Sequence, residues 1–275
     1  MKKKITISIL TLFLYLSLIM AMAVPSFAET TDSGSQTIQT VEQLKAEISV
    51  CMEDGEMTAA EKRALLAQTT GEATADLISE KLDTAVDVLN GNEDTKMQCL
   101  LSGSTYVVKE YDLGDNCVLR VELEDRAEGN DNNNGIALMP LATSGSSEMW
   151  KEYGNRYFTA TATVDCKVGS ATLSLENHYK LSSSGIDEVK GVSDGTLKNV
   201  VGTITRKSPQ ITDSAARTPG ASDVNMYCEY TVKINDGNLT DTKNYRLNTA
   251  VKYLSHDKTG KRIKVGHTWN LTKVS

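Results

Sequence analysis

The sequence predicts an α+β protein: a short N-terminal helical segment followed by a mainly antiparallel β-sandwich. Three observations carry this expectation. Apolar residues recur at helical spacing between Val41 and Leu89. From Trp150 to Leu271 they alternate with polar residues, the period of a strand with one buried face. Turn signals such as Asp236-Gly237 and Lys258-Thr-Gly260 divide that second half into short lengths.

Residues 1–28 read as a cleavable signal peptide. Lys2 to Lys4 precede an apolar run from Ile5 to about Val24, Pro25 ends it, and Ser26-Phe27-Ala28 offers small residues for cleavage. A membrane anchor is the competing reading, since the run is nearly long enough to span a bilayer. The long apolar run suggests a Gram-positive source. The mature chain is expected to begin near Glu29 and to be secreted.

Residues 29–100 read as an acidic helical segment. Val41, Leu44, Ile48 and Cys51 or Met52 lie on one helical face. Thr58-Ala-Ala-Glu61 is a capping box, in which hydroxyl and carboxylate satisfy free amides at a helix start. Gly71 is read as an interruption. A third helix carries Leu77, Ile78, Leu82, Val86 and Leu89, and Gly91 stops it.

Residues 101–147 are expected to hold a β-hairpin and a polar linker. Cys117, Leu119, Val121 and Leu123 alternate with Arg120, Glu122 and Glu124, and Tyr106-Val107-Val108 is the pairing strand. Asp131-Asn-Asn-Asn-Gly135 invites a calcium reading, but Asn130, Asn132 and Asn134 are uncharged and the twelfth loop position is Leu141 rather than glutamate.

Residues 148–275 are the expected β-sandwich. Phe158 to Cys166, Ala171 to Tyr179, Thr196 to Arg206, Val224 to Ile234, Tyr245 to Tyr253 and Ile263 to Leu271 read as its strands.

Charge divides the chain in the same way. Residues 29–147 hold 8 Lys/Arg against 23 Asp/Glu, and residues 148–275 hold 18 against 13, a net of +5. The basic half would be attracted to anionic surfaces in a salt-dependent manner. Five cysteines follow the signal, so at least one is unpaired within the chain. Cys166 and Cys228 fall on inward faces of strong strands and are the expected disulfide. Cys99 with Cys117 is a weaker pairing, and Cys51 is expected to be free.

His178, His256 and His267 show no metal-binding spacing. His178 is expected to face solvent and His267 to be half-buried beside Trp269. No serine-hydrolase elbow is present. No catalytic residue, cofactor or metal is therefore assigned. The segment Trp150-Lys-Glu-Tyr-Gly-Asn-Arg-Tyr-Phe158 gathers two cations and four aromatics. Trp150, Tyr153, Arg156 and Tyr157 are the candidate binding residues, because Trp, Tyr and Arg dominate binding hot spots. The structural alternative has Trp150 plugging the open end of the sandwich.

The functional expectation is a secreted, non-enzymatic binding or structural protein at the cell envelope or outside the cell. Its expected partners are anionic wall polymers, a membrane surface or another protein, and not nucleic acid. The alternative is the precursor of a secreted antimicrobial or toxin-like effector, with the acidic helices as a pro-segment.

Overall fold

The computed structural model describes residues 37–53, 55–91, 106–128, 149–236 and 239–274, and among them three helices come first. The signal peptide expected at 1–28, the expected linker with its calcium reading, Cys99 and Gly237 lie outside the described residues. Helix α1 (Val41–Cys51) starts at a capping box in which the Thr40 hydroxyl accepts from the Gln43 amide. Helix α2 (Ala59–Gln68) starts at the anticipated box of Thr58 and Glu61. Helix α3 (Gly71–Gly91) is longer than expected. Gly71 is its first residue rather than a break, and the absent Cβ has a packing reason: it would come within 2.4 Å of Val201 Cγ2.

The rest is antiparallel β. The strands are β1 (Tyr106–Asp112), β2 (Val118–Ala127), β3 (Met149–Glu152), β4 (Gly154–Asp165), β5 (Ser170–Ser182), β6 (Gly185–Lys198), β7 (Gly202–Arg206), β8 (Gln210–Asp213), β9 (Ala215–Ala216), β10 (Ser222–Asp236), β11 (Leu239–Asp257) and β12 (Arg262–Val274). They form two sheets. The first runs β1-β2-β4-β5-β6-β9, and the second runs β3-β12-β11-β10-β7, with β8 also paired to β10. The N-terminal hairpin is thus part of the first sheet, because β2 pairs with β4 from Val118↔Asp165 to Ala127↔Arg156.

The alternation read from sequence matches the inward faces. Phe158, Ala160, Ala162 and Val164 are buried on β4, and Val224, Met226, Cys228, Tyr230, Val232 and Ile234 on β10. These faces meet: the Tyr230 hydroxyl on the second sheet donates to the Ser174 carbonyl on the first at 2.6 Å. The described chain changes sheet at β3–β4, β6–β7, β8–β9 and β9–β10. The β6–β7 corner is Asn199–Val201, which splits the strand expected from Thr196 to Arg206 into β6 and β7. The β3–β4 corner is Tyr153-Gly154, where Gly154 takes φ +141°, a backbone conformation open to glycine and strained for other residues.

Helix α3 covers one end of the sheets. It buries Leu77, Ile78, Leu82, Ala85, Val86 and Leu89. Its polar positions hold the strand ends. Asp83 accepts from Lys243 at 2.8 Å, from Lys273 at 3.0 Å and from the Tyr245 hydroxyl at 3.0 Å. Ser79 donates to Asp241 at 2.6 Å, and Lys81 donates to the Leu113 carbonyl at 3.0 Å beside the first hairpin turn.

Cys117 is bonded to Cys166. The register explains the pairing, since Val118 opposite Asp165 brings the next residues outward, Cys117 and Cys166, face to face. The Cys166–Cys228 bond expected from sequence is not formed. Cys228 lies in the middle of β10 on the other sheet, a buried free thiol donating to the Lys207 carbonyl at 3.2 Å. The Cys99–Cys117 alternative falls with it. Cys51 is free.

Candidate functional site

The end of the sheets opposite α3 is where the segment 150–158 lies, and the Tyr153-Gly154 corner explains what becomes of it. Residues before the corner belong to the second sheet and those after it to the first. The four candidate binding residues therefore part into different environments rather than forming one cluster.

Arg156 points inward and is 8% exposed. Its Nε donates to Asp125 Oδ1 at 3.1 Å. Asp125 on β2 is wholly buried and is the centre of a polar cluster from both sheets. Lys151 Nζ on β3 lies 3.2 Å from Oδ2, and the Tyr179 hydroxyl on β5 donates to Oδ1 at 2.9 Å. His267 on β12 places Nε2 3.6 Å from Oδ2 and 3.3 Å from the Tyr179 hydroxyl. His267 is 1% exposed, more deeply buried than the sequence suggested, with its ring 4.4 Å from that of Phe158.

Burial sets the charges here. It pushes the Asp125 carboxyl up, but His267, Arg156 and Lys151 outweigh it and hold the group below the usual carboxylate range. Burial lowers the His267 imidazole to about 4 against the pull of Asp125. That ring is neutral at physiological pH, so Lys151 and Arg156 are the standing counter-charges. The cluster acts as an electrostatic clasp between the sheets.

Tyr157 points the other way, onto the outer face of the first sheet. Its hydroxyl donates to Glu128 at 3.0 Å, the Arg126 guanidinium lies 4.3 Å over its ring, and His178 meets it edge-on at 4.4 Å. His178 is on the outer face as expected but half-buried, its Nε2 2.5 Å from Glu176 Oε1. Tyr153 sits at the corner, with its hydroxyl 2.5 Å from His256 Nε2, while the Tyr253 hydroxyl takes the other ring nitrogen at 2.8 Å.

Trp150 does not plug the end, for it is 42% exposed on the outer face of edge strand β3. The residue opposite it is Lys264, and the Arg262 guanidinium lies 5.6 Å from the centre of its ring. Arg262 also donates to Asp257 at 2.7 Å across the β11–β12 hairpin, whose turn carries exposed Lys258 and Lys261. The Tyr153 amide donates to the Lys261 carbonyl at 3.1 Å, which ties the turn to the corner.

A second buried carboxyl, Glu188, lies opposite Tyr179 in the β5–β6 register. Both its oxygens are buried without a hydrogen-bond partner, as are both amide atoms of Asn177. Burial pushes Glu188 up to about 8; Asn177 beside it favours the charged form but closes no hydrogen bond of good geometry.

Sequence reasoning missed Asp125, Lys151, Tyr179 and His267 as a group. A signal was present. Asp125 continues the inward phase of Leu119, Val121 and Leu123, and Arg156 continues that of Phe158 and Ala160. Two opposite charges at inward positions call for each other.

No family model, curated protein or solved structure matches the chain.

Proposed function

We propose that the chain is a secreted β-sandwich protein that binds rather than catalyses, acting at the cell envelope or outside the cell. It docks through the end opposite α3. The observation that carries this reading is Trp150, exposed with Arg262 against its ring and Lys264 opposite it in register. Trp and Arg are the side chains that most often anchor interfaces. The groups beside it with chemistry to offer, Asp125 and His267, are 0% and 1% exposed and face each other across the sheets.

The acidic helices are retained in this reading. Helix α3 buries eight apolar residues, Ala73 and Ala75 among them, and removing it would uncover the apolar surface they cover. The effector-precursor alternative requires that loss.

The test has two arms. Intact-mass analysis of the exported protein is expected to give one species beginning near Glu29; a fragment beginning after residue 128 would support the precursor. Purified protein is expected to sediment with cell-envelope fractions, and Trp150→Ala to weaken this at least tenfold, the cost of a hot-spot residue. Undiminished binding by the variant would overturn the reading.

A further inference from the structure

The tryptophan-bearing edge carries more than an aromatic. Lys258 and Lys261 occupy the turn of the β11–β12 hairpin, and Arg262 and Lys264 lie on the outer face of β12 just beyond it. Trp150 and Glu152 are their partners on β3. Four cations thus gather round one exposed indole, against two carboxylates, Glu152 and Asp257. Asp257 is already committed to Arg262 and to the Gly260 amide at 2.8 Å. The patch sits on the edge strand β3 and the β11–β12 turn.

We propose that this patch is a docking surface for a bilayer rich in anionic phospholipid. This rests on the binding reading above and names its partner. An exposed indole with lysines on an exposed turn beside it suits the boundary between lipid headgroups and acyl chains. An indole settles where apolar and wet environments meet. Lysine and arginine near an anionic lipid surface each strengthen binding about fivefold, with a range set by the Debye length. The lysine stems add apolar contact while their ammonium groups stay in water. The Arg262 guanidinium, held against the indole, is placed to meet a headgroup phosphate as the ring enters the interface.

The experiment uses the mature chain with vesicles of phosphatidylcholine alone or mixed with phosphatidylglycerol. Co-sedimentation is measured from low to high salt, together with tryptophan emission. The chain has two tryptophans, and Trp269 is only 6% exposed, so a blue shift on binding reports Trp150. Binding is expected on the anionic vesicles alone, weakening as salt rises. Lys258→Gln with Lys261→Asn should weaken it about 25-fold, two cations at about fivefold each. Asparagine is chosen because Lys261 has φ +50°, which asparagine tolerates. Trp150→Phe should abolish the emission shift with the circular dichroism spectrum unchanged. Equal binding to both vesicle types, or none to either, overturns the lipid proposal. If lipid binding is absent but envelope binding still depends on Trp150, the binding reading stands and the partner is a wall polymer or protein. Loss of both overturns both.

Discussion

Glu188 makes the stability of this protein depend on pH in a way that a single substitution should remove. Its folded value is about 8 against an ordinary 4.5, because burial disfavours the charged form. A raised carboxyl costs nothing below its unfolded value. The cost grows as pH rises and reaches its full size above the folded value. By linkage, the folded state loses about 3 kcal/mol through this group between pH 5 and pH 8. Glu188→Gln keeps the shape and removes the titration. The difference in stability between variant and parent should therefore widen by about 3 kcal/mol over that range. In a domain of this size the gap in melting temperature widens by roughly 6–12 °C. Melts followed by circular dichroism at pH 5, 6, 7 and 8 would measure it. Asp125 and His267 titrate in both proteins and cancel in the difference. If the two melting temperatures keep a constant separation from pH 5 to pH 8, Glu188 is not a buried neutral acid and the reasoning fails.

The other predictions concern the clasp, the disulfide and the plug. Asp125→Asn leaves Lys151 and Arg156 buried against a neutral amide and should cost about 3–5 kcal/mol in urea unfolding. His267 has its value depressed to about 4, so its contribution is complete above pH 6.5 and lost as pH falls through 4. It amounts to about 3 kcal/mol, and His267→Gln should flatten the acid limb of the stability profile. Replacing Cys117 and Cys166 by alanine opens a link with a separation of 49 residues, about 4 kcal/mol by chain entropy, whereas Cys51→Ala should leave the midpoint where it is. Ile78→Ala in α3 should cost about 2–5 kcal/mol. Helical and tryptophan signals should still melt together, and separate midpoints would show α3 to be an appendage.

Local periodicity made most of the fold legible in the sequence. The capping box of α2 and the inward faces of β2, β4, β5, β10, β11 and β12 follow from spacing alone. What spacing does not contain is partnership between distant strands. The β2–β4 pairing is the instructive case. Reading Cys117 as part of an isolated hairpin left Cys166 to be matched with Cys228, whereas the β2–β4 register matches it with Cys117. The binding segment failed for a related reason. Trp150, Tyr153, Arg156 and Tyr157 are close in sequence, but the corner between sheets at Gly154 and the alternation of β4 beyond it send them to four places, one of them the interior. A glycine with positive φ is invisible to composition. Helix α3 is legible as amphipathic, but its place over the end of the sheets depends on which end the turns share, whereas size and nearness to the first core strand point to Trp150.

The bond from Asp83 to Lys273 spans 190 residues. Ribosomes deliver a chain from its N-terminus, so α3 emerges early with its apolar face uncovered. Its partners on β10, β11 and β12 come last. The fold cannot close until β12 is free to bring Lys273 to Asp83. The same order of events gives β12 an influence out of proportion to its length. A stop before Arg262 would remove β12, and with it His267 from the clasp and Lys273 from α3, releasing both ends of the sheets at once.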